Sequence, residues 1–114
     1  MKVRSKQILE AITKLLASPE LISGTIQRED FYYFMTHEDT LWSIGEVNNN
    51  IELHLENCDQ PSLFVKNLEL KSITGDYFIF SSNDYSTKLF HDLLETVQAK
   101  VNGLDQTLNQ LNYL

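Results

Sequence analysis

The chain is short of cysteine, proline, glycine and positive charge. One thiol, Cys58, in 114 residues leaves no partner for an intramolecular disulfide, which predicts a reducing, cytoplasmic setting. Two prolines and four glycines, against 42% hydrophobic and 11% aromatic residues, do not make a disordered or fibrous composition and predict a chain that folds around a core. The glycines, Gly24, Gly45, Gly75 and Gly103, are isolated from one another and form no phosphate-cradling loop. No apolar run approaches the roughly eighteen residues of a membrane span, so none is expected. The segment from Met1 to Lys6 is basic, but apolar and polar residues alternate after it, which is not the pattern of a secretion signal. Nine basic residues face sixteen acidic ones, a formal net charge of -7. Phosphate binding needs a basic footprint, so neither a nucleic-acid partner nor a membrane partner is expected.

What is present reads as a single domain over residues 1–114: an N-terminal helix and cap over 1–23, an antiparallel sheet over 24–82 and a helical segment over 83–114. Ile8, Leu9, Ile12, Leu15 and Leu16 recur at spacings of three and four, one stripe of an amphipathic helix. Ser18-Pro19 ends this helix or caps a single further turn, and Gly24 is a natural stop. Thr25 to Thr36 and Thr40 to Val47 are rich in β-branched and aromatic residues and read as two strands. Asn48-Asn49-Asn50 is a turn, since asparagine tolerates left-handed backbone. Ile51, Leu53 and Leu55 then alternate with Glu52, His54 and Glu56 in a half-buried strand. Leu63 to Lys71 reads as strand with a helix as its alternative. Gly75-Asp76 is the last reversal, and Tyr77 to Phe80, apolar on both faces, suits a central strand. After Ser81-Ser82-Asn83-Asp84, a run of good N-cap residues, the period becomes helical.

These elements predict an α+β fold: an N-terminal helix, a curved and mostly antiparallel sheet of about five strands, and a long or broken C-terminal helix. In element order alone the chain is similar to small acidic secretion chaperones, which carry a helix where residues 60–71 lie here. It is also similar to the pleckstrin-homology type, whose meander ends in a strand and a C-terminal helix as Tyr77 to Val101 does. No motif of the chain is specific to either.

Charge and aromatics are unevenly spread. Residues 1–17 carry a net +3, residues 18–59 a net -8 with Arg28 as their one base, and the rest -2. Acids at Glu29, Asp30, Glu38, Asp39, Glu46, Glu52, Glu56 and Asp59 therefore fall on the first hairpins. Phe31, Tyr32, Tyr33, Phe34 and Trp42 interleave with them, and alternation sends Phe31 and Tyr33 to one face and Tyr32 and Phe34 to the other. Either helices cover both faces or one face presents an aromatic patch. The leading expectation is a non-enzymatic protein-binding module, such as an immunity protein, an inhibitor or a small chaperone, that engages a basic protein surface. Its expected contact residues are Glu29, Asp30, Tyr32, Glu38, Asp39, Trp42, Glu46, Glu52 and Glu56.

Phe90, Leu94, Val97, Val101, Leu104, Leu108 and Leu111 follow one another by four and three, a seam over three heptads. A continuous helix through Gly103 would need a partner, most simply a second copy of the chain, which makes a structural or regulatory oligomer the alternative. Otherwise Asn102-Gly103 ends one helix and a short second one follows. His54, Glu56 and Cys58, two residues apart on one strand face, carry a third reading as a small metal- or thiol-dependent enzyme. His37 and His91 would join only if the fold brought them in. No His-Glu-x-x-His pair, serine elbow or calcium loop occurs, so no cofactor, metal or catalytic residue is assigned.

Overall fold

The computed structural model describes residues 3–36, 40–58 and 73–103. The elements run in the order α1 (Val3–Ala17), a single 3-10 turn (Pro19–Leu21), β1 (Ser23–Arg28), β2 (Phe31–Thr36), β3 (Thr40–Val47), β4 (Asn50–Cys58), β5 (Ile73–Ser81) and α2 (Thr87–Val101). The fold is α+β, an open five-stranded meander with neighbours in chain order and every pairing antiparallel.

Alternation in the strands sorts side chains into two sets of rows that cross the sheet. Tyr32, Ile44, Leu53 and Phe80 pair in one row and Phe34, Trp42, Leu55 and Phe78 in the next. Most of this face is buried against the helices. Ile8, Ile12 and Leu15 of α1 and Phe90, Leu93, Leu94 and Val97 of α2 share one core with Ile22, Phe34, Ile44, Ile51, Leu53 and Phe80. Helix α2 packs on this face and α1 packs mainly against α2, so of the two arrangements the sequence allowed, the described helices do not cover both faces.

Local chemistry explains the element ends. Pro19 opens the 3-10 turn that follows α1, where its missing N–H costs nothing. Asn48 and Asn49 both have positive φ, 51° and 70°, and join β3 to β4 in a two-residue turn whose twist matches the strands. Ser82 pins β5 to the start of β4: its N–H donates to Ile51 O at 2.8 Å, and its hydroxyl accepts from Ile51 N at 2.9 Å. Ser86 caps α2, accepting from Leu89 N at 3.2 Å. Gly103, at φ 70°, follows the last turn and donates to Lys100 O. Helix α2 ends at Val101 and does not run on through Gly103, because the left-handed glycine turns the chain out of the helix.

Three sequence expectations are revised. Thr25 to Thr36 is not one strand: it reverses at Glu29-Asp30, with Glu29 in the left-handed region at φ 55°. Gly24, at φ 58°, does not stop an element but lies within β1, where the register shifts between Ser23 and Ile26. Gly75 and Asp76 lie inside β5, and β5 is an edge strand of the described sheet, not a central one. Phe78 and Ile79 point to opposite sides of that edge and are 52% and 51% exposed. The strand-or-helix choice at 63–71, and the chaperone-type helix at 60–71, fall outside the described residues.

Candidate functional site

The expected contact residues do not form one surface. Glu29, Asp30 and Glu46 are exposed and meet at one end of the sheet, because antiparallel strands bring the β1–β2 and β3–β4 turns to the same side. Asp30 and Glu46 line a groove of about 290 Å³ between this end and α2, together with Gln27, Tyr32, Leu94 and Gln98. Arg28 is half-buried at the same end.

Tyr32 and Trp42 belong to the helix-covered face. Both pack against the core, and the Trp42 ring lies nearly parallel to Phe34, 7° between planes and 6.3 Å between centroids. Its Nε1–H donates to Thr36 Oγ1 at 2.7 Å, so the polar end of the indole is satisfied inside the protein. Tyr32 also lines the groove. Glu38 and Asp39 lie outside the described residues.

Glu52 and Glu56 are on the second face of the sheet. Its rows are Phe31, Gly45, Glu52 and Ser81; then Tyr33, Ser43, His54 and Ile79; then Met35, Leu41 and Glu56. A compact polar cluster sits across them. His54 Nε2 is 2.9 Å from Glu52 Oε1, and His54 Nδ1 is 3.8 Å from Glu56 Oε1. Buried Ser43 donates its hydroxyl to Glu56 Oε1 at 2.8 Å. Phe31 tilts against the imidazole at 4.8 Å between centroids. Gly45 leaves it room: a Cβ there would fall 2.7 Å from Asp30 O and 3.0 Å from the Phe31 ring.

The electrostatics follow from this crowding. Burial works against a charge on His54, but the hydrogen bonds and negative charges of Glu56 and Glu52 outweigh it and raise its pKa above the ordinary 6.5. Burial first, and then the charge of Glu56, raises the Tyr33 phenol above its ordinary value, so it stays protonated at neutral pH. The Ser43 hydroxyl donates its hydrogen bond to a carboxylate rather than to the imidazole, so the cluster is an imidazole clamped between two carboxylates and not a nucleophile–base pair.

The other sequence candidates are dispersed. Phe90, Leu94 and Val97 are buried in the protein's own core and Val101 packs at its margin. Leu104, Leu108 and Leu111 lie outside the described residues. His54 and Glu56 do share a face, but the register shifts between Glu56 and Cys58. His91 is elsewhere: with Asp92 and Glu95 on α2 it makes a group whose ligand atoms lie within 4.8 Å of one another. Asp92 is already paired with Lys88 at 2.8 Å, and His91 and Glu95 are an exposed i,i+4 pair. His37 is outside the described residues. No described helix is long and apolar enough to cross a membrane.

Sequence reading missed Ser43 and Tyr33 as members of the His54 cluster. The signal was partly there, since alternation places Ser43 on the polar side of β3, but cross-strand register decides which polar residues meet. Comparison with known protein families, with curated proteins and with solved structures returned no match.

Proposed function

We propose that the protein is a non-enzymatic binding module that engages the basic surface of another protein through the acidic end of its sheet, in the manner of an immunity protein, an inhibitor or a small chaperone. The observation that carries this reading is the convergence of Glu29, Asp30 and Glu46, all exposed, beside the groove floored by Tyr32 and Leu94. Residues 18–59 carry a net charge of -8, and at this end three exposed carboxylates outnumber the half-buried Arg28, so negative charge predominates. Such a field steers a basic partner into register and rejects acidic ones, while contact with the groove supplies the short-range fit.

The test is capture from a native extract by the wild-type chain and by the triple variant Glu29→Gln, Asp30→Asn, Glu46→Gln. These positions are exposed, so the variant keeps its fold, as circular dichroism will verify. A basic protein retained by the wild type at low salt and lost by the variant supports the reading. Equal retention by both chains contradicts it.

A further inference from the structure

The cluster on the second face is not used by the acidic end, and it has the construction of a switch. Each ring nitrogen of His54 faces a carboxylate: Nε2 faces Glu52 at 2.9 Å, and Nδ1 faces Glu56 at 3.8 Å. Only the doubly protonated ring offers a donor on both sides. A neutral ring that keeps its proton on Nε2 turns the Nδ1 lone pair toward Glu56, and an attractive contact becomes a repulsive one. Water does little to soften the change, because the side chains of His54 and Glu56 are only 14% and 6% exposed.

The surroundings fix the ring. Phe31 of β2 lies against it, and Gly45 of β3 lets Phe31 approach. Ser43 of β3 holds the Glu56 carboxylate in place. The titratable and charged groups facing the cluster are Glu52 and Glu56 on β4 itself, Tyr33 on β2 and, at the far edge, Arg28 on β1, which is paired with Phe31. From β5 the same rows bring Ser81 and Ile79. Tyr33 is uncharged at neutral pH and Arg28 stands at the far edge, so among the described residues the imidazolium is the cation set between the two carboxylates.

We propose that Glu52, His54 and Glu56, bedded on Phe31 and Ser43, form a proton-operated clamp across β2, β3 and β4, closed while His54 is an imidazolium and loosened when that proton leaves. The device operates in the mildly alkaline direction and is independent of which partner the acidic end binds. It also joins the two regions, because Glu52 pairs with Gly45, next to Glu46. Loss of the proton from His54 returns an uncompensated carboxylate to that end of the sheet.

Two measurements on the full chain test this. The first follows the His54 ring by NMR from pH 5 to 9, in the wild type and in Glu52→Gln. Titration above the ordinary histidine value of 6.5, with the midpoint moving down in Glu52→Gln, is the expected result. The second compares urea unfolding at pH 6 and pH 8.5 for the wild type and His54→Gln. The wild type's folding equilibrium falls relative to the variant's by about tenfold per unit of measured His54 shift. A His54 midpoint at or below the ordinary value overturns the proposal without recourse to any variant. So does a pH dependence that survives unchanged in His54→Gln.

Discussion

On the helix-covered face of the sheet, Tyr32, Ile44, Leu53 and Phe80 sit side by side under α2, against which α1 packs. On the opposite face the matching positions hold Tyr33, Ser43, His54 and Ile79. The first face is held by apolar volume. The second holds an imidazole between two carboxylates, a buried hydroxyl and a ring packed on a glycine. Apolar burial is non-directional and indifferent to pH, whereas a buried carboxylate is stabilised only while an opposite charge or a hydrogen bond offsets it. The same five strands therefore carry one face that sets stability and another that makes stability depend on protons.

The largest effects should come from the first face. Phe90, fully buried at the centre of the core, is the point to attack: Phe90→Ala should cost ~3–5 kcal/mol, as read by urea unfolding, and by the same amount at pH 6 and pH 8.5. A loss that differed between the two pH values would show that the faces are not separable. Gly45→Val is next, and it strikes the second face sterically. Its Cβ would meet a backbone oxygen at 2.7 Å, and overpacking of this kind costs ~1–3 kcal/mol, with the Phe31 and His54 resonances displaced by the same change. A Gly45→Val chain as stable as the wild type would mean that the Phe31 ring is not confined.

Much of this division was legible in the sequence, and the limits of legibility are physical. The stripes of α1 and α2 and the alternation of β4 were readable because each is a local period that burial enforces. Asn48-Asn49 was readable because asparagine at positive φ is a chemical signature. The β1–β2 turn was not, since Glu29 adopts left-handed backbone without being glycine or asparagine, and tertiary pairing overrides that preference. The position of β5 was misread because a run apolar on both faces looks the same at an edge as in the middle. The two key groupings, Glu29 and Asp30 with Glu46, and Ser43 with His54 and Glu56, depend on register across strands. Register is set by turns distant in sequence and was legible only where the turn itself was.

Smaller effects sharpen the same contrast. Ser86→Ala removes the cap of α2 and should cost ~1 kcal/mol without altering the pH dependence, since the helix belongs to the first face. For His54 the sign is set by its raised pKa. Its contribution is complete below the unfolded value near 6.5 and is lost as pH climbs through the folded value. His54→Gln should therefore be less stable than the wild type at pH 6, and the difference should shrink by pH 8.5. A gap that widened on raising the pH would reverse the assignment of the imidazolium as the stabilising form.

The most direct test of the binding account is the association rate between the wild-type chain and the partner it retains, measured as a function of ionic strength beside the variant neutralised at Glu29, Asp30 and Glu46. Steering by a net acidic end predicts a wild-type rate that falls by about tenfold or more from ~50 to ~300 mM salt, as screening shortens the field, and a variant rate that is slow and nearly flat. A wild-type rate indifferent to salt, or a variant that associates as fast as the wild type at low salt, would contradict it.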